Sequence, residues 1–110
     1  MAFQFGDVLL ATLAFSDASG AKKRPVLVVH DAGDADLLIV PVTSHPPRTA
    51  ADVPLAGWAA ASLRLPSTVR VAKLATLAKS AVARQRGRLT VEDERRVRDG
   101  LRHFLAPLLA

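Results

Sequence analysis

Arg24 and Thr43 are the pair of residues in this sequence best placed for chemistry on a phosphate. Val26–His30 and Leu37–Thr43 both read as apolar strands, and Asp31–Asp36, with Gly33 at its middle, reads as the connection between them. If the hairpin turns between Gly33 and Asp34, Val28 faces Ile39, Val26 faces Pro41 and Arg24 faces Thr43. Residues directly opposed in an antiparallel pair carry their side chains about 5 Å apart on one face. A guanidinium offers two parallel donors to a phosphate, and a hydroxyl beside it adds a third. The plainer alternative is that Arg24 caps its strand and Thr43 is an ordinary strand residue. A one-residue slip in register would separate them.

Positive charge surrounds this pair unevenly. The 110 residues include 15 Lys and Arg against 10 Asp and Glu. Residues 1–60 are slightly acidic, whereas residues 61–110 hold 11 of the 15 cations. Arg64, Arg70, Lys73, Lys79, Arg84, Arg86 and Arg88 follow one another with no acid between them. Such a stretch attracts polyanions, RNA or DNA first, or an acidic protein segment; a solvated arginine-rich surface is the bland alternative. Val82, Arg84, Arg86 and Arg88 alternate, which predicts one basic face on that strand.

Other chemistries find little support. There is no cysteine, hence no disulfide, thiolate ligand or Cys nucleophile. His30, His45 and His103 form no zinc pattern. Asp31, Asp34 and Asp36 lack the spacing of a calcium loop and read as turn formers. No phosphate-binding glycine loop or nucleophile elbow occurs. Neither metal nor cofactor is expected. Val8–Phe15 is too short to span a bilayer and has no basic segment before it, so a cytoplasmic chain without membrane association is expected.

The elements that must position these residues follow in order. Gly6–Phe15 reads as a first strand, Ser16–Gly20 as a mobile loop, and Pro25 as the start of the second strand. Ala51–Leu55, Ser67–Ala72 and Ser80–Arg86 are further short strands, and Gly57–Pro66 a loop or helical turn. Thr90 is a candidate N-cap, with Glu92, Asp93 and Glu94 in the first turn of a helix whose apolar stripe is Val97, Leu101, Leu105 and Leu108. Twenty of the apolar residues are alanine, so the core of this single 1–110 domain is thin and would gain from a partner. Short strands ending in one helix predict a mostly β fold, a small antiparallel barrel.

Gly6-Asp7-Val8, the Phe15-Ser16-Asp17…Ser19-Gly20 loop, Lys23-Arg24-Pro25-Val26-Leu27-Val28 and Val42-Thr43-Ser44 together resemble the N-terminal signature of the MazF/PemK toxins of type II toxin–antitoxin systems. Pro66-Ser67-Thr68-Val69-Arg70, Lys73-Leu74-Ala75-Thr76-Leu77 and Gly87-Arg88-Leu89-Thr90 continue the resemblance, over about residues 6–105. It implies an SH3-like barrel with a C-terminal helix, a homodimer, and metal-independent, sequence-selective cleavage of single-stranded RNA. It also implies an acidic antitoxin seated in the RNA groove, with DNA contact by the pair as a further expectation. The catalytic pair it implies is Arg24 and Thr43. Lys22, Lys23, Ser44, Arg70, Lys73, Arg84 and Arg86 are the expected RNA-binding residues, and His45 is either a proton carrier, by its nearness to Thr43, or a plain loop histidine. Lys73 stands where the family often has an amide. A non-catalytic barrel, a gyrase-poisoning toxin or a simple RNA or antitoxin binder, is the rival reading.

Overall fold

The computed structural model describes residues 2–14 and 21–110. Seven strands and one helix follow in order: β1 (Asp7–Ala14), β2 (Ala21–His30), β3 (Asp36–Thr43), β4 (Asp52–Pro54), β5 (Thr68–Arg70), β6 (Ala75–Ala78), β7 (Val82–Arg88) and α1 (Val91–Leu109). Val71–Lys73 and Lys79–Ala81 are single 3₁₀ turns on either side of β6. The Ser16–Gly20 loop anticipated from the sequence lies outside the described residues.

All pairings are antiparallel, and their order is β4-β5-β3-β2-β1-β7, with β6 also on β3. The outer edge of β3 is divided: Asp36–Ile39 pair with β6, whereas Val42 and Thr43 pair with β5. Because β6 leads through a 3₁₀ turn into β7, and β7 returns to β1, the sheet closes on itself. Alternation then builds two cores. Leu9 and Ala11, Val26 and Val28, Leu37 and Ile39, with Leu77, Val82 and Phe3, converge inside the closed circuit. The opposite face of the same strands presents Val8, Leu27, Val40 and Val42, which Val53, Val69, Val71, Val97 and Leu101 cover from β4, β5, the first 3₁₀ turn and α1. Both faces are therefore buried, which is why these strands read as apolar runs rather than as alternating ones.

The helix begins where expected: the Thr90 hydroxyl accepts from the Asp93 amide at 3.2 Å. The buried Asp93 carboxylate in turn accepts from the Ala56 and Gly57 amides at 3.1 and 2.7 Å, fastening α1 to the chain after β4. Val97 and Leu101 are buried, but the stripe does not stay covered to its end. Leu105 is half-buried and Leu108 is 73% exposed.

β6 has no counterpart among the expected strands, and two details of β2 also differ. The second strand starts at Ala21, so Lys22–Arg24 belong to it and Pro25 is interior, opposite Leu10 of β1. Its register with β3 is Val26↔Pro41, Leu27↔Val40 and Val28↔Ile39, as counted from the sequence; beyond Val28 a bulge at Val29 moves the count, and His30 meets Leu38.

Candidate functional site

The pairing of β2 with β3 stops at Val26 and Pro41. Pro25 and Pro41 have no N–H to extend a ladder. Past them β3 leaves β2 for β5, and a cleft of about 780 Å³ opens. Arg24 and Pro25 line it from β2, Pro41, Val42 and Thr43 from β3, and Ser44 and His45 from the segment that follows. Leu63, Arg64, Leu65 and Ser67, which lead into β5, form the opposite wall with Arg70, Lys73 and Arg86; Leu13 of β1 completes it. Arg24 and Thr43 are two residues beyond the last β2–β3 pair on each strand, and the same count carried on sets them at facing positions.

Three lining residues are held in ways that bear on chemistry. The Thr43 hydroxyl accepts the His45 amide at 3.2 Å, which occupies a lone pair and leaves its own proton to donate. Arg70 donates from Nε to Asp52 Oδ1 at 3.0 Å, and the Asp52 side chain is fully buried. Arg86 donates to the Ser62 carbonyl at 3.0 Å. That last contact depends on a close approach of β7 to the turn before Leu63. A Cβ at Gly87 would stand 2.4 Å from the Ala61 carbonyl oxygen, so only glycine fits there. Ser62 itself takes φ +66°, a left-handed conformation uncommon for a residue with a side chain.

The lining is cationic. Arg24, Arg64, Arg70, Lys73 and Arg86 contribute guanidinium and ammonium groups, His45 an imidazole, and none of the described lining residues is Asp or Glu. The Asp52 carboxylate lies against Arg70. Burial opposes its charge, but the Arg48 amide, the Arg70 guanidinium and the Thr49 amide outweigh burial and hold it below the ordinary carboxylate range.

Of the residues singled out from the sequence, the cleft brings together Arg24, Thr43, Ser44, Arg70, Lys73 and Arg86. Lys22, Lys23 and Arg84 are not in its lining; they stand opposite Leu13, Thr12 and Leu10 of β1. The expected basic face of β7 does not form either. Bulges at Ala83 and Arg86 break the two-residue period, so Arg88 and Gln85 share one face while Arg84 takes the other. Arg88 turns instead to Asp7, at 2.7 Å. Arg64, Leu65 and Ser67 were not singled out for the site. Arg64 stands in the same acid-free run as Arg70 and was legible on that ground; the others carry no local signal. The apolar lining is aliphatic, and Trp58 packs against the helix-side core. Asp31 and Asp34 accept amides of their own turn, from Gly33 and Asp36.

Residues 4–105 match the PemK-like, MazF-like toxin family of type II toxin–antitoxin systems. The chain belongs to that family. Solved structures with the MazF fold agree. A MazF-mt6 toxin of Mycobacterium tuberculosis is 23% identical with TM-score 0.75, the match covering 91% of this chain and 96% of that one. An endoribonuclease in complex with its cognate antitoxin, from a mycobacterial species, is 20% identical with TM-score 0.77 and 96% coverage of both chains. A MazE–MazF structure from Deinococcus radiodurans is 19% identical with TM-score 0.76, over 96% of this chain and 98% of that one. Comparison with curated protein sequences returns no match. These neighbours share the fold of this chain, an antiparallel sheet of seven strands with one C-terminal helix among the described residues. No helix among the described residues is long and apolar enough to cross a membrane.

Proposed function

We propose that this MazF/PemK-family toxin is an endoribonuclease that cuts single-stranded RNA in the cleft between β2, β3 and β5, without a metal. The observation that carries the reading is the lining itself: five cations and a hydroxyl with a proton to donate, with no Asp or Glu among the described lining residues. Such a site attracts a polyanionic strand and stabilises charge on a phosphate. Cleavage then proceeds by in-line attack of the 2′-hydroxyl on the adjacent phosphorus, expelling the 5′-oxygen and leaving a 2′,3′-cyclic phosphate. Arg24 clamps the phosphate through paired donors and neutralises the charge added in the transition state. Thr43 donates a hydrogen bond to a phosphate oxygen. Arginine stays protonated, so it does not take the 2′ proton; His45, next to Thr43 in the lining, is the side chain suited to carry it.

The same lining suits an acidic antitoxin segment, which would occupy it in competition with RNA, and relatives solved with antitoxin support that partner. The family reading extends to a homodimer working in the cytoplasm. The deciding experiment incubates purified protein with single-stranded RNA in EDTA and maps the ends. Cyclic-phosphate products, absent when the 2′-hydroxyl at the cut is removed, support the reading. Intact RNA, or cutting only with added metal, overturns it and favours a barrel that binds without catalysis.

A further inference from the structure

Asp52 is a residue for which composition and motif offer no role, and the structure gives it an unusual place. Its side chain has no solvent exposure, yet it sits one residue away from the surface of the cleft. Oδ1 accepts Arg70 Nε at 3.0 Å. Oδ2 accepts the Arg48 amide at 2.7 Å and the Thr49 amide at 3.2 Å. The backbone agrees with the side chains, for Asp52 of β4 and Arg70 of β5 are register partners. Both oxygens are thus committed, and a buried carboxylate with charge-assisted partners is retained as an anion.

The grip on Arg70 is from the side, through Nε alone. Among the described residues no protein group takes the two terminal nitrogens, although Arg70 lines the cleft. A guanidinium fixed at Nε has lost most of its rotational freedom while keeping its pair of outward donors, and that pair matches two oxygens of one phosphate. The other oxygen of Asp52 fastens the segment that follows Ser44 and His45. One carboxylate therefore sets both walls of the cleft.

We propose that Asp52 is a positioning residue for RNA binding: it holds Arg70 so that its terminal nitrogens clasp a backbone phosphate of the bound strand, flanking the one that Arg24 holds. This rests on the reading that the cleft takes single-stranded RNA, but not on cleavage. Preorganising the guanidinium before binding lowers the ordering cost that a free arginine would incur.

The test measures affinity for a random-sequence 2′-O-methyl single-stranded RNA, which cannot be cut by 2′-hydroxyl attack, so that a failure of cleavage leaves the measurement intact. Asp52→Asn and Arg70→Ala are each expected to weaken binding about tenfold, and the double variant by no more than either alone. Arg70→Lys, which keeps the charge but loses Nε and the fork, should behave as Asp52→Asn does. A loss on Asp52→Asn that is equally large when Arg70 is already alanine marks a merely structural role and overturns the proposal, as does unchanged binding in Asp52→Asn. Should that variant not fold, the wild-type protein answers by nitrogen-15 NMR. The Arg70 Nε–H should exchange slowly in the free protein, and the Nη resonances should shift on adding the oligonucleotide. An Nε–H that exchanges like those of exposed arginines, or Nη signals that do not respond, overturns it equally.

Discussion

At the scale of single residues, the cations are distinguished by what surrounds them. Arg88, Arg96, Arg98 and Arg102 are all paired with carboxylates of the barrel or of α1. Arg24 stands in the cleft, and Arg24→Ala is expected to abolish RNA cleavage while leaving the melting temperature within a degree or two, read by an end-labelled RNA assay beside circular dichroism. Far from the cleft, Asp31 works in the opposite sense, as pure structure. Amides of Phe3 and Gly33 and the Lys79 ammonium surround it, and they lower its carboxyl to about 2. A carboxyl depressed in the folded state contributes stability above its unfolded value near 4 and loses that contribution as pH falls through about 2. Asp31→Asn should therefore melt lower than wild type at pH 7, with the two curves converging toward pH 2. A constant gap across that range would show that the charge of Asp31 contributes nothing.

At the scale of elements, the β2–β3 register was legible because two apolar strands and a turn-forming connection leave one way to bury both. The bulge at Val29 was not legible, since no glycine or proline marks it. The cation-rich second half was equally plain, but which cations face the cleft was not. That depends on Ala83 and Arg86 as extra residues in β7, and a bulge redirects every side chain beyond it. The helix start could be read from Thr90 and its acids, whereas the exposed end at Leu108 could not, because periodicity describes a stripe and not how far the barrel reaches along it. Gly87 links β7 to the site. Gly87→Ala forces a carbon against the Ala61 carbonyl, and the neighbouring backbone must move rather than a side-chain tip. The expected cost is about 1–3 kcal/mol in thermal or urea unfolding. Cleavage should fall further than stability explains, because Arg86 loses the Ser62 carbonyl that orients it.

At the scale of the whole molecule, charge and closure are segregated. Five cations meet at one end of the barrel, so binding of single-stranded RNA should fall steeply with salt, at roughly 0.7 log units per tenfold change for each phosphate neutralised. For three to five contacts that is a slope of about −2 to −3.5, measurable by fluorescence anisotropy. A slope near zero would mean that the lining does not meet the backbone. One of the two cores lies apart from the cleft, in the closed circuit around Leu9, Val26, Val28 and Leu37. The divided edge of β3 separates the two tasks: β6 takes Asp36–Ile39 and seals the barrel, while β5 takes Val42 and Thr43 and shapes the cleft. In evolutionary terms, that division uncouples innovation from risk. Substitutions at the exposed positions before β5, such as Arg64 and Leu65, can retune which strand a descendant accepts, while the sealing half of β3 and the buried Val53 and Val69 keep the descendant folded.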